Sequence, residues 1–225
     1  MKVVALLPMK SHSERVPNKN ISDFAGRPLY HYVAGILEAS EYVERIIIDT
    51  DSEFIAEDAP KHFTKVEIVD RPESLCGDFV SMNDIIAHDI VCTDAEYFLQ
   101  THSTNPLLTK ETLERAIETY CNALSGYDSL FSVTRYHGRF YRPSGESVNH
   151  NPHELLRTQD LPPLFEENSN LYLFSRESFV AAGNKRIGLK PFMFEMDRLE
   201  AIDIDEKEDW VLAEVLYELR GKDKL

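Results

Sequence analysis

The first nine residues, MKVVALLPM (1–9), run straight into KSHSERVPNKN (10–20), where Lys10, Arg15 and Lys19 stand among polar residues and only Val16 and Pro17 are apolar. The first run has the make-up of a buried strand, because β-branched and aliphatic residues fill both faces of a strand covered on each side. A core strand that empties into a basic loop is unexpected in a chain of formal net charge -15. In an open parallel α/β sheet, ligands bind beyond the carboxyl ends of the strands. The loop at 10–20 therefore sets both the fold class to look for and the place to look for chemistry.

Working outward, short β-branched or aromatic runs alternate with helix-length segments of 3.6-residue period, the pattern of a parallel sheet flanked by helices. Strands are expected at 3–7, 45–49, 65–69, 97–101, 129–134 and 170–174, with a last one near 201–204. Helices are expected at 28–39, opening on a proline, from about Thr109 onward, and at 206–219. Leu113, Ala116, Ile117, Tyr120, Cys121 and Leu124 make one apolar stripe on the second of these, and Leu212, Leu216 and Leu219 make another on the third. The segment 136–163 sustains neither period, and a long irregular stretch inside a compact domain is more often functional than a mere connector.

The chain has 225 residues, enough for one α/β domain, 1–225, with a well-buried core. Its acidity excludes nucleic acid and anionic membrane as partners, since neutralising phosphates takes a dominant basic face. Any basic cluster must then serve a small target. Three cysteines, at 76, 92 and 121, are too few for a disulfide framework and too far apart for a zinc pair. The apolar run at the start is too short for a signal peptide or a membrane span, so a cytoplasmic protein is expected.

Three strand-end segments carry chemistry. Lys10, Arg15 and Lys19 could close over an anion, with Ser11 and Ser13 as further donors; IIIDTDS puts Asp49 and Asp51 at a strand end; AIDIDEKED sets Asp203 and Asp205 two residues apart, on one face of an extended chain. Paired carboxylates repel unless a cation sits between them, and magnesium, held by one or two carboxylates and substrate phosphates, fits that need. Plainer readings stand beside these. The basic loop could be a solvated turn, Asp49 and Asp51 could cap a helix beginning near Ser52, and Asp203 and Asp205 could complement the dipole of the helix that follows. Other motifs fail: no GxGxxG follows the first strand, Gly183 to Gly188 is not followed by Lys and Ser or Thr, and the eight histidines form no HExxH.

The succession Lys10, Ser13, Arg15, Pro17, Lys19, Asn20 resembles the N-terminal signature of the CMP-sugar synthetases, the acylneuraminate cytidylyltransferase family. IIIDTDSEFIAEDA, RPESLCGDFVSMNDIIAH, FLQTHSTNPLLT, RTQDLPPLFEENSNLYLF and AIDIDEKEDW resemble further family segments in the same order, to about residue 215. The resemblance implies a Rossmann-like, mostly parallel sheet of the nucleotide-diphospho-sugar transferase type. It also implies transfer of CMP from CTP to the anomeric hydroxyl of an acidic 2-keto-3-deoxy sugar. Lys10, Ser13, Arg15, Lys19, Asn20, Arg71 and Ser81 would bind the nucleotide, and Gln100, Asn168 and Tyr172 the sugar acid. Asp203 and Asp205 would hold Mg2+ and, with Arg15 and Lys19, form the catalytic set. The 136–163 segment would be a dimerisation arm and the protein a homodimer.

Departures bear on the substrate. LQTHSTNPLL is two residues longer than the family's segment, Glu14 stands where some relatives have lysine, and 185–188 replaces a paired aromatic of the sialic-acid enzymes. One of Arg139, Arg157 and Arg186 is expected to meet the sugar carboxylate, and a relative of N-acetylneuraminic acid is expected to be preferred over that compound. The alternatives are another nucleotide, an eight-carbon ulosonic acid or a sugar phosphate, or a noncatalytic binding relative.

Overall fold

A computed structural model describes residues 1–77 and 79–222. In chain order it holds β1 (Val3–Leu6), β2 (Asp23–Phe24), β3 (Arg27–Pro28), α1 (Tyr30–Ala39), β4 (Val43–Thr50), α2 (Glu53–His62) and β5 (Val66–Asp70). Then follow α3 (Met82–Val91), β6 (Tyr97–Thr101), α4 (Lys110–Ala123), β7 (Ser129–Tyr136), β8 (Leu164–Ser175), α5 (Arg176–Ala181), β9 (Pro191–Glu195) and α6 (Lys207–Arg220).

All four residues of β1 are buried because this strand lies inside a seven-stranded sheet ordered β5-β4-β1-β6-β8-β7-β9. Its alternation divides the core. Val3 and Ala5 pack with Tyr30, Val33 and Leu37 of α1, Ile55 and Ala59 of α2, and Leu113, Ala116, Ile117 and Tyr120 of α4. Val4 and Leu6 pack on the other face with Ile86 and Ile90 of α3, Phe98, Phe174 and Phe179. Side chains two apart on a strand share a face, so each face acquires its own helical layer. The β1–β4, β1–β6, β4–β5 and β7–β9 pairs are parallel, whereas β8 runs antiparallel to both β6 and β7. The mostly parallel, helix-flanked sheet agrees with the sequence.

Local signals explain the helix starts. The side chain of Thr109 accepts from the Thr112 N–H and that of Ser52 from the Ile55 N–H, each satisfying an otherwise orphaned amide. Asp49 and Asp51 therefore do not cap α2. The first helix begins at Tyr30 and not at 28, because Pro28 pairs with Asp23 in the β2–β3 hairpin.

Two expectations are corrected. Residues 201–204 form no strand: the Ile204 N–H donates to Thr104 O at 2.8 Å and its carbonyl accepts from Lys19, so the backbone is bonded to two loops and not to a strand. The alternation there is real, since Ile204 is buried with Phe24, Leu29 and Tyr32 in a small third cluster. On α6 the expected stripe is not the buried one. Leu212 is 49% exposed, and the helix buries Ala213 and packs Trp210 and Tyr217 onto Phe24 instead. Unanticipated was β9, an edge strand whose Phe194 is buried while Met193 faces outward.

Between β7 and β8 the chain is irregular, apart from a 3-10 turn (Thr158–Asp160) and an isolated bridge from Tyr141 to Ser147. Asn149 organises it: its amide donates to Gly138 O and Pro162 O, both at 2.9 Å, and its oxygen accepts from the Phe140 N–H. No helix among the described residues is long and apolar enough to cross a membrane. Ile117 is fully buried between α4 and the sheet, so Ile117→Ala is expected to cost roughly 2 to 4 kcal/mol through lost burial and a cavity. Equilibrium urea unfolding measures this, and a loss below about 1 kcal/mol would show that α4 is not a core element.

Candidate functional site

Past Leu6 the chain stays beside β4, with the Met9 N–H on Asp49 O at 2.9 Å, before turning away. Asp51 pins the departing loop, accepting from the Ser11 N–H at 2.6 Å and the Ser11 hydroxyl at 3.0 Å. Asn18 adopts φ 55°, a left-handed conformation that asparagine tolerates better than most residues. It opens a 3-10 turn (Lys19–Ile21) that sends Lys19 inward. There the Lys19 ammonium donates to Ile204 O at 2.5 Å and reaches Asp205 Oδ1 at 3.2 Å. Arg15 meets the same Asp205 oxygen at 2.8 Å and Glu206 at 3.3 Å.

The loop after β6 closes the assembly. Ser103 donates to Asn20 Oδ1 at 2.8 Å, Asn20 donates to Lys10 O at 3.1 Å, and the Thr104 hydroxyl donates to Asp203. Burial pushes the Asp203 carboxyl upward in pKa, opposed by the bond from Thr104 and reinforced by Asp205. The Asp205 carboxylate raises the Arg15 guanidinium.

These loops surround a cavity of about 540 Å³, whose lining includes Lys10, Ser13, Arg15, Lys19, Asn20, Arg71, Asp203 and Asp205. Glu14 and His102 also face it, and burial pushes the His102 imidazole down to about 4, so it is neutral at pH 7. A second cavity of about 420 Å³ shares Ser169, Asp203 and Asp205 with the first. The carboxylate pair thus stands where the two meet. Two residues apart and off any strand, Asp203 turns to Thr104 and Asp205 to the cations, yet both line both spaces.

Of the other residues singled out, Ser81 caps α3, accepting from the Asn83 N–H at 3.2 Å, while its neighbours Val80 and Met82 line the larger cavity. Asn168 lines the second, its oxygen accepting from Ser132 at 2.5 Å and its amide donating to Thr134 at 3.1 Å. Gln100 and Tyr172 are buried cross-strand partners on β6 and β8, and each accepts from Arg186. Arg139 donates to Leu156 O and Arg157 pairs with Asp160 at 2.6 Å, both within the irregular segment and outside both cavities.

Sequence reasoning missed Ser103 and Thr104, although a polar run directly after a buried strand was available as a signal. It also missed what lies beneath Arg71. That guanidinium donates to Asp49 Oδ1 at 2.6 Å and Asp49 O at 2.9 Å, with His88 at 3.3 Å from the other Asp49 oxygen. Asp89, fully buried beside Asp49, has its carboxyl pushed up to about 9, first by burial and then by the neighbouring carboxylate. No sequence pattern joins residues at 49, 71 and 89; the pairing of β5 with β4 and the packing of α3 on β4 do.

A sheet that places a basic first loop opposite a carboxylate pair has the layout of a nucleotidyltransferase. Solved structures of that fold superpose along the whole chain: a CMP:2-keto-3-deoxy-manno-octonic acid synthetase complexed with CTP gives a TM-score of 0.69 at 11% identity, covering 98% of this chain and 100% of that one. A 4-diphosphocytidyl-2C-methyl-D-erythritol synthase from Anaerococcus prevotii gives 0.67 at 11%, covering 96% of each. The sequence profile of the cytidylyltransferases matches residues 4–220, and the chain belongs to that family. It is 26% identical to the pseudaminic acid cytidylyltransferase of Campylobacter jejuni over 97% of both chains. It is 30% identical to the N-acylneuraminate cytidylyltransferase A of Danio rerio, over 99% of this chain and 53% of that one. The N-acylneuraminate cytidylyltransferase of Escherichia coli is 25% identical, over 100% and 54% respectively.

The Asp89 site gives a pH prediction. A carboxyl raised to about 9 when folded holds its proton at pH 7, while the unfolded chain, near 4, has released it. The folded state then binds more protons across that window, so this group's contribution is full below pH 4 and is lost as pH rises toward 9. Asp89→Asn places a neutral side chain of the same shape beside Asp49, and its Tm relative to wild type should rise between pH 5 and pH 9. A constant difference across that range would show that Asp89 is ionised in the fold.

Proposed function

We propose that this cytidylyltransferase joins CMP from CTP to the anomeric hydroxyl of an acidic 2-keto-3-deoxy sugar of the nonulosonic type, releasing pyrophosphate. The observation that carries this reading is the convergence of Arg15, Lys19, Asp203 and Asp205 on one cavity wall, from segments some 185 residues apart. A triphosphate needs concentrated positive charge, and the first loop supplies it within an acidic protein. Preorganised cations aimed at the phosphates lower the barrier by meeting charge as it grows, while positioning supplies much of the rest. In the step itself the anomeric oxygen attacks the α-phosphorus in line. The new O–P bond forms as the bond to the bridging oxygen breaks, and the pair of electrons leaves with pyrophosphate.

Asp203 and Asp205 form an all-oxygen donor set, suited to a hard cation such as Mg2+, and both border the cavities where phosphates and sugar would meet. Bound there, such an ion would neutralise phosphate charge. Thr104 fixes Asp203, and Lys19 with Arg15 fixes Asp205, so each carboxylate is already oriented. Asn168, which lines the second cavity, and Gln100 and Tyr172, which line neither cavity and hold Arg186, are assigned to the sugar end. The names of the relatives support a sugar acid, and the altered 185–188 segment and lengthened Gln100 loop support one other than N-acetylneuraminic acid.

The experiment is pyrophosphate release from each of four nucleoside triphosphates, offered with N-acetylneuraminic, legionaminic, pseudaminic and eight-carbon 2-keto-3-deoxy acids. CTP with a nonulosonic acid should give the highest kcat/KM, and N-acetylneuraminic acid should trail its analogues; release with no pair refutes the reading. Asp203→Asn and Asp205→Asn preserve shape and remove charge, so each should lower turnover by roughly a hundredfold or more with folding intact. Loss of Tm with activity per folded molecule retained would make the pair a helix-end device.

Arg15→Ala and Lys19→Ala should weaken CTP more than CMP, because the additional phosphates carry the charge these residues meet. Equal losses would remove the loop from the triphosphate. Residues 136–163 expose Leu155 at 91%, Leu156 at 51% and Tyr141 at 54%, apolar surface suited to a partner copy. A homodimer built through this arm is part of the proposal, and a concentration-independent monomer mass in sedimentation would refute it.

A further inference from the structure

Arg186 sits in the 185–188 segment, between α5 and β9, and its backbone is held on both sides. The Arg186 N–H donates to Asn83 Oδ1 at 3.2 Å, and the Gly188 N–H to Ser129 Oγ at 2.8 Å. From this base the side chain reaches inward to 17% exposure and lines the larger cavity. Its guanidinium lies 3.6 Å from the centroid of the Tyr172 ring and donates to Gln100 Oε1 at 2.6 Å and Tyr172 Oη at 3.0 Å. Because Gln100 and Tyr172 face each other across the β6–β8 ladder, two strands of the sheet fix the plane of the fork.

Its electrostatic situation differs from that of three other cations of the cavity. Arg15 and Lys19 meet Asp205 at 2.8 and 3.2 Å, and Arg71 meets Asp49 at 2.6 Å. The partners of Arg186 at hydrogen-bond distance are a neutral amide and a phenol, and Glu167 stands at 3.9 Å with its side chain 43% exposed. Burying a guanidinium with so little counter-charge is costly, and burial here lowers its affinity for its own proton. An entering carboxylate would supply the missing charge, in the bidentate geometry a planar fork favours.

We infer that Arg186 receives the carboxylate of the sugar acid and makes this pocket selective for anionic sugars. The inference rests on the reading of the chain as a sugar-acid cytidylyltransferase. It also gives the 185–188 segment a physical meaning, since it seats a cation on an aromatic ring at the cavity wall. Arg139 and Arg157 line neither cavity of their own chain, whereas Arg186 lines the larger one. Arg198 lines the second cavity, 5.1 Å from the ring of Tyr136, and is the competitor to exclude.

The test is calorimetric binding, which needs no turnover. The probes are N-acetylneuraminic acid and pseudaminic acid, each as free acid and as C1 methyl ester. They are titrated into wild-type protein, Arg186→Gln, Arg186→Lys and Arg198→Gln, with CTP affinity measured alongside. Wild-type protein should bind the better acid tighter than its ester by roughly tenfold to a hundredfold, the worth of a charge-assisted contact. Arg186→Gln should erase that preference, Arg186→Lys should recover part of it, and Arg198→Gln should leave it unchanged, with CTP affinity and Tm retained throughout.

Four results overturn the proposal: no acid-over-ester preference in wild type, an unchanged preference in Arg186→Gln, loss of the preference in Arg198→Gln alone, or binding of neither acid. Failure of the cytidylyltransferase reading would look different. Wild type would then release no pyrophosphate with any nucleotide and sugar pair, while the acid-over-ester preference, and its loss in Arg186→Gln, could still be read.

Discussion

The contact on which the site depends is that of one lysine with one short acidic segment. Lys19, with 13% of its side chain exposed, spends its charge on the carbonyl of Ile204 and the carboxylate of Asp205. A buried ammonium demands such partners, and a backbone carbonyl in a segment outside any strand would otherwise go unsatisfied. The contact therefore meets two requirements at once. It draws the loop that leaves β1 against the segment that enters α6, bringing opposite ends of the chain together over the carboxyl edge of the sheet. The Ile204 side chain, buried among Phe24, Leu29 and Tyr32, anchors the same segment from below. Removing either hold would loosen Asp205, while Asp203 keeps its bond from Thr104.

A protein of net charge -15 that handles anionic molecules must keep its cations local and partnered. Each carboxylate near Arg15, Lys19 and Arg71 serves this end: it offsets the repulsion and desolvation that clustering cations would incur, and it orients them. The Asp49 and Asp89 pair takes this one layer deeper. With Asp89 neutral, one negative charge and not two lies beneath Arg71, so the guanidinium is held without its field being cancelled twice over.

The sequence was informative wherever one residue type had one physical use. The apolar run of β1 and most of the α4 stripe are of this kind and are buried where their patterns placed them, although Leu124 falls beyond α4 and is 38% exposed. It misled where the pattern admitted two uses. The alternation at 201–204 reads as a strand, but its backbone bonds to Thr104 and Lys19, contacts 100 and 185 residues distant that no local period encodes. Leu212, Leu216 and Leu219 repeat at helical spacing, yet the aromatic ring cluster of Phe24, Tyr32 and Tyr217 turns α6 so that Ala213 faces inward. Ser81 followed a family motif into the right neighbourhood, where its hydroxyl is used by the helix. Asp49 and Asp51 stood at the correct strand end, but their duties, holding Arg71 and pinning Ser11, belong to tertiary structure.

The two ends of the site are recruited from different parts of the sheet, and this has a consequence for specificity. Lys10, Arg15, Lys19 and Arg71 come from loops that follow the parallel strands β1 and β5. Gln100, Tyr172 and Arg186 belong to the region where β6 meets the antiparallel β8 and the chain continues toward β9. Arg186 shares the larger cavity with those cations, and Asp203 and Asp205 line both that cavity and the second one. Because backbone hydrogen bonds of the 185–188 segment run to Asn83 and Ser129, and none of those described runs to the first loop, its side chains can change without disturbing that loop. A fold arranged in this way can hold its first loop constant while the cavity wall around Arg186 varies. Two of the three sequence departures fall in the Gln100 loop and the Arg186 segment, and the third, Glu14, falls in the first loop.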